Sequence, residues 1–344
     1  MVLGPSCSDS DVLATVERTL SRRPDVGVVL VADELSTTVL QQALRSGVKD
    51  VLTLQGDTLQ VVEAIERVGS SLSAASISSD PSAPIGIGGD GSETGRVTTV
   101  FSTKGGSGKS VMATNLAVVL AEQSDGPVCL VDADLQFGDV AVMMKLAPSH
   151  TVVDAVSNID RLDASLLDSL LATHEASGLR VLPAPLEPAF ADQIGAGDMV
   201  KIIEVLRQFC SHVVIDTPAY FNDVVLGIVE VSDDVLLVAG MDIPNIKNVK
   251  IGLQTLRLLN TPMEKLRLIL NRANSKVKLD IGGVERTLQV SADALIPSDV
   301  IVPQSVNKGV PFVLSHPKSG VAKSIRQLAE TIVDTEQEVR RRRG

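Results

Sequence analysis

Gly105, Gly106, Gly108, Lys109 and Ser110 stand together in the stretch Val97–Ser110, VTTVFSTKGGSGKS, and their types suit one chemistry, the holding of phosphate. Glycines lack a Cβ, so their backbone N–H groups can close around phosphate oxygens. Lys109 can reach terminal phosphates, and the Ser110 hydroxyl is placed to ligate Mg²⁺. Ser107 and Val111 complete this candidate nucleotide-binding set. Two elements must position the loop. Val97–Phe101 is rich in β-formers and predicts a strand, and the apolar run Val111–Ala121 predicts a helix whose positive end faces the anion.

Carboxylates recur where further strands should end. VDADLQFGD places Asp132 and Asp134 at the carboxyl end of an apolar run, where α/β ligand sites lie. Two acids there could orient Mg²⁺-bound water and an attacking water. HVVIDTPA is an apolar strand ending in Asp216, whose carboxylate could hold Mg²⁺ through water. LILNR carries Asn271 and Arg272 at a third strand end. Thr103 occupies the position where the usual phosphate loop has Gly, and Lys104 directly precedes the glycine pair. A lysine in such a loop is ordinarily a solvated surface residue.

KGGxGK[ST] is the deviant Walker A signature, and through it the chain resembles the MinD/ParA family of dimeric P-loop ATPases. VDADxxxGD and IDTP resemble that family's second and third motifs. The resemblance implies ATP and Mg²⁺, with Asp134 positioning the hydrolytic water and Asp132 near a metal shell that includes Ser110 and Asp216. Asp139 matches less strictly, since several relatives carry Asn there. Asn271 is implied to recognise adenine, with Arg272 near the base; Pro297 and Ser298 are weaker matches to the family's late nucleotide-side loop. Lys104 is implied to cross a homodimer interface to the other subunit's phosphates, a catalytic charge clamp comparable to an arginine finger.

Composition agrees with an α/β chain. In 344 residues, 44 % are hydrophobic but only 2 % aromatic, with no Trp and a single Tyr, so the core must be built from aliphatic side chains, as in a parallel sheet covered on both faces. The net charge of −11 argues against broad nucleic-acid coating. Cys7, Cys129 and Cys210 form no CxxC pair, and the four histidines no metal-spaced cluster, which speaks against a disulfide framework, zinc or an iron–sulfur centre. No signal peptide or run of 18 apolar residues is present, so the chain reads as cytoplasmic.

In order, residues 1–70 alternate short strands (Val26–Ala32, Val48–Leu54) and helices (Asp9–Ser21, Thr37–Arg45, Leu59–Val68) and resemble the second half of a response-regulator receiver, entered at its third strand. The phosphate-accepting Asp and the strand-five Lys of a receiver have no counterpart near Gly4–Pro5 or Leu54–Gln55, which implies a pseudo-receiver. Opening at strand three leaves a bare edge, so an upstream segment or pairing with another chain is expected. Residues 71–96 are a Ser/Gly/Pro linker; their GIGGDG matches a dinucleotide fingerprint without the strand and helix it needs. Residues 97–335 are expected to form a doubly wound, mainly parallel sheet, with strands near 97–101, 127–131, 180–182, 212–215, 234–239, 266–270 and 292–294. Helices are expected at 110–122, 162–172, 198–208, 224–231, 246–259 and 319–333, followed by a basic tail, 336–344.

Four outputs compete within the resemblance. A membrane-inserting terminal helix would need large apolar residues opposite Lys and Arg, which EQEVRRRRG lacks. Iron–sulfur carriage would need paired cysteines, and DNA partitioning basic patches, so direct DNA binding is not expected. A receiver-like segment, a linker and this ATPase, with SNIDRLDASLLDSLL, GLRVLPAPLEP and MDIPNIKNVK, resemble the CpaE/TadZ proteins. That likeness implies a spatial switch localising Tad/Flp pilus assembly, with partners including the secretion ATPase and any polar or membrane association arising through them. A ParA-like partitioning ATPase and a nucleotide-gated scaffold with negligible turnover remain as alternatives.

Overall fold

The structure, a computed structural model, describes residues 2–4, 12, 15–16, 28–32, 50–53, 94–274 and 279–343. The chain divides into two units after Asp90. In the first unit, β1 (Val2–Leu3), β2 (Val29–Ala32) and β3 (Asp50–Thr53) pair in parallel in the order β1-β2-β3. Val28, Val29 and Leu30 are buried, as a continuous apolar run requires. The helices expected at 37–45 and 59–68, and residues 71–93 of the linker, lie outside the described residues.

Among the described residues, the second unit carries eight strands: β4 (Arg96–Phe101), β5 (Val128–Asp132), β6 (Ala172–His174), β7 (Leu179–Leu182), β8 (His212–Asp216), β9 (Asp234–Gly240), β10 (Leu266–Asn271) and β11 (Ala292–Ile296). Their order is β11-β10-β9-β4-β8-β5-β7-β6, and only the β6–β7 pair is antiparallel. From β4 the chain crosses to β5 and beyond, returns as β8 between them, and then builds outward through β9 on the other side. Such a reversal leaves a crevice at the carboxyl ends of the central strands. This is the doubly wound, mainly parallel α/β sheet expected from the alternation of apolar runs.

The principal helices are α1 (Lys109–Gln123), α2 (Val152–Ser157), α3 (Ala164–Leu170), α4 (Ala196–Leu206), α5 (Asp223–Val231), α6 (Ile243–Leu258), α7 (Ile281–Leu288), α8 (Ile301–Lys308) and α9 (Gly320–Arg343). Val321, Ile325, Leu328 and Ile332 of α9 are buried against the α1 side of the sheet, so the modest apolar stripe near the carboxyl terminus is core. Backbone helix continues to Arg343, ten residues past the apolar periodicity. Glu, Gln and Arg are good helix formers, and neither Gly nor Pro interrupts them before Gly344.

An ion network fastens the amino ends of the strands, away from the crevice. Asp234 accepts from Arg96 Nε at 2.5 Å and Arg267 Nε at 2.9 Å, with its side chain 2 % exposed. Asp233 accepts from the Val97 N–H and from Arg207, and Asp293 accepts from the Leu268 N–H.

Candidate nucleotide site

Five neighbouring strands deliver the chemistry-bearing residues to one edge. β4 runs into the glycine loop, β5 ends at Asp132, β8 at Asp216, β9 at Gly240 and β10 at Asn271. Parallel register pairs Asp132 with Asp216 and Asn271 with Gly240. Two buried ties lock the central strand ends: the Thr217 hydroxyl donates to the Val100 carbonyl at 2.8 Å, and the Ala133 N–H to the Asp216 carbonyl at 2.8 Å.

The loop itself is shaped for an anion. Gly106 and Gly108 lie at φ +72° and +97°, where a side chain is strained. A Cβ on Gly105 or Gly106 would meet nothing within 4 Å, so this face is open space; one on Gly108 would stand 2.5 Å from Asn271 Nδ2. Gly108 caps α1, whose amino-terminal N–H groups carry the positive end of the helix dipole. Lys109 and Ser107 are buried, and no partner meets the Ser107 hydroxyl.

The carboxylates divide their work. Asp216 is fully buried, and neither oxygen has a partner at hydrogen-bonding geometry. Burial pushes its pKa up to about 7, against the pull of the nearby Ser110 hydroxyl and Lys109 ammonium. An orphaned buried carboxylate between a lysine and a serine is the setting a Mg²⁺–phosphate group would complete. Asp132 spends both oxygens on the chain: the Asp134 N–H donates to Oδ1 (3.2 Å) and the Val140 N–H to Oδ2 (3.1 Å). Burial, and then Asp216, hold its pKa well above the carboxylate range. Its geometry is that of a strut for the loop 133–140. Asp134, half-buried, is raised by desolvation and pulled back by the Phe137 N–H and Lys109.

Asn271 braces the glycine loop. Its Nδ2 donates to the Ser107 carbonyl at 2.8 Å, while Oδ1 accepts from the Arg272 N–H at 2.9 Å. Arg272, at φ +57°, reaches the Gly106 carbonyl at 3.4 Å. Both also line a cavity of about 640 Å³ with Gly108, Val111, Pro297 and Ser298, roomy enough for a base. Lys104 stands at the front of the loop, its N–H donating to Ser102 Oγ at 3.3 Å and its Nζ 3.7 Å from Asp242 Oδ1. The structure thus brings every candidate residue to one crevice edge.

Two participants escaped the sequence reading. Asp242 caps α6 through the Asn245 N–H at 2.9 Å and faces Lys104. The Asn245 N–H, and then its side-chain amide and Lys104, hold the Asp242 carboxyl below its ordinary range. An Asp followed two residues later by Pro is a helix-start signal that could have revealed it. Gly138 is the second, fixed as the glycine of VDADxxxGD but given no role there: a Cβ at this position would overlap Asp132 Oδ2 and the Ala184 methyl. The motif shows that a glycine is wanted; only the fold shows that the reason is this close approach.

Residues 98–312 match the model of the CobQ/CobB/MinD/ParA nucleotide binding domain. The septum site-determining protein MinD of Thermotoga maritima is 27 % identical over 245 residues, covering 69 % of this chain and 88 % of that protein. A ParA family ATPase from Chlorobium tepidum superposes with a TM-score of 0.65 at 27 % identity, over 69 % of this chain and 98 % of its own. MinD of Pyrococcus horikoshii, solved with Mg-ADP, has the same fold, with a TM-score of 0.61 at 21 % identity over 69 % and 95 % of the two chains. With its glycine loop, strand-end acids and sheet order at that crevice, the chain belongs to the CobQ/CobB/MinD/ParA nucleotide-binding domain family.

Proposed function

We propose that this protein is an ATPase that dimerises around Mg²⁺-ATP and serves as a spatial switch for a Tad/Flp-type pilus assembly machine. The observation that carries the ATPase reading is Asp216: a fully buried carboxylate under the pull of Lys109 and Ser110, with neither oxygen at full hydrogen-bonding geometry to a donor, beside an open glycine loop. Gly105, Gly106, Ser107, Gly108 and Val111 present N–H groups to phosphate, and Lys109 neutralises it. Ser110 and Asp216 would hold Mg²⁺, which when bound withdraws charge from the phosphate oxygens. Asp134 orients the attacking water, and Asp132 keeps the loop carrying Asp134 in place. Asn271 steadies the glycine loop and, with Arg272, bounds the adenine cavity.

Lys104 supplies the dependence on a second copy. It rests against Asp242 across 3.7 Å, both side chains substantially exposed, so little holds it from a partner's phosphates. The crossing lysine makes hydrolysis a property of the dimer and lets partner proteins read nucleotide state. The pilus assignment rests on the CpaE/TadZ-like phrases and on the sequence of receiver-like unit, linker and ATPase.

A fluorescent fusion tests that assignment. The wild-type fusion should gather where pili assemble and lose its focus with Lys104→Ala, with piliation lost in parallel. Normal pili in a deletion strain, with nucleoid-like distribution of the fusion, would instead select the partitioning reading.

A further inference from the structure

The chain holds seven aromatic residues, six Phe and one Tyr, and three of them are exposed: Phe137 at 75 %, Tyr220 at 48 % and Phe190 at 38 %. These three share a neighbourhood. A cavity of about 300 Å³ is lined by Gln136, Ala191, Asp192, Tyr220 and Asp223; Phe137 and Phe190 are the chain neighbours of Gln136 and Ala191. Leu186, 74 % exposed, precedes the same 3₁₀ turn, Pro188–Gln193, that carries Phe190. The other four aromatics are buried or half-buried, with Phe101 stacked near Phe221 at 4.6 Å. In a protein so poor in aromatic side chains, their solvent exposure around one cavity marks an interaction surface.

The charge around the cavity is one-sided. The cavity lining includes Asp192 and Asp223 and no Lys or Arg. Asp139, Glu187, Asp192 and Asp223 are exposed. An acidic rim around a cavity lined in part by Leu135, Ile194 and Val224 is complementary to a cationic chain bearing an apolar anchor. We propose that this surface docks a lysine- or arginine-rich segment of a partner protein, one apolar side chain filling the cavity and the flanking cations facing Asp192 and Asp223. The docking stands on exposure and charge and does not depend on nucleotide turnover.

Tyr220 provides the test, because a chain with no Trp and one Tyr draws its tyrosine emission from this site alone. A synthetic peptide alternating leucine and arginine should, when titrated into the full-length chain, change Tyr220 emission saturably and more weakly as salt is raised. A leucine–glutamate peptide should leave the emission unchanged, and a serine–arginine peptide should bind at least ten-fold more weakly. Phe190→Ala should weaken the leucine–arginine peptide ten-fold or more. Asp192→Asn, a milder surface change, should weaken it a few-fold. Equal affinity for the leucine and serine peptides, or wild-type titrations in both variants, would overturn the proposal. So would an emission change that follows the chain's own concentration and is indifferent to peptide, since the occupant would then be a second copy.

Discussion

At the separation of Lys104 from Asp242, 3.7 Å with both partners solvated, an ion pair stabilises by less than about 1 kcal/mol. That magnitude decides the character of Lys104: it is parked, not bound, in the single chain. Asp242→Asn keeps a good helix cap and removes the charge, so ATP-dependent dimerisation should strengthen about two- to five-fold. Sedimentation of the nucleotide-loaded protein measures it; weaker dimerisation would mean that Asp242 serves the dimer. Gly108 has the opposite tolerance. Gly108→Ala combines φ +97° with a clash against Asn271 Nδ2, and nucleotide affinity should fall by at least about 100-fold in titration calorimetry while the fold persists. Asp216 sets a pH dependence whose sign follows from its burial. Its pKa is raised on folding to about 7, so the folded, nucleotide-free protein binds a proton more tightly than the unfolded chain. This contribution to stability is fully present below the unfolded carboxylate value and lost as pH rises through about 7. The difference in melting temperature between wild type and Asp216→Asn should therefore move against the wild type from pH 5 to pH 8.

The elements divide into those that present the site and those that clamp the sheet behind it. Asp234, shared by Arg96 and Arg267 across the amino ends of β4, β9 and β10, belongs to the clamp. Asp234→Ala takes the acid from the largely buried Arg96 and leaves Arg267 with Asp293 at 3.8 Å, and it should cost about 3–5 kcal/mol in denaturant unfolding, with nucleotide affinity in the surviving folded protein nearly unchanged. Legibility in the sequence followed the same division. Buried parallel strands are near-continuous runs of Val, Ile and Leu, so β4, β5, β8, β9 and β10 stood out to within a residue or two. β6 did not, because Ala172-Thr173-His174 has neither length nor apolar periodicity and exists only by pairing with β7. α2, α7 and α8 were also unread: α2 has only six residues, and α8 mixes Pro303, Gln304 and Asn307 with its apolar positions. Residues whose types act alone, such as Lys109 or Asp216, were visible. Asp242 and Gly138 act through what the fold places opposite them, Lys104 and the Asp132 carboxylate, and a one-dimensional pattern does not hold that information.

At the scale of the whole molecule, the proposed unit of chemistry is two chains. The acids, the glycine loop and the cavity beside Asn271 are all present in one copy, whereas the Lys104 side chain is 38 % exposed and rests only against the solvated Asp242. On the proposed mechanism such a chain binds nucleotide alone and turns it over only in company. Phosphate release measured across a hundred-fold range of protein concentration, with Mg²⁺-ATP saturating, tests this most directly. Activity per chain should rise with concentration to a plateau for the wild type, and Lys104→Ala should bind ATP with near-native affinity yet release phosphate at least about 100-fold more slowly at every concentration. Turnover per chain that is independent of concentration, or undiminished in Lys104→Ala, would contradict the account.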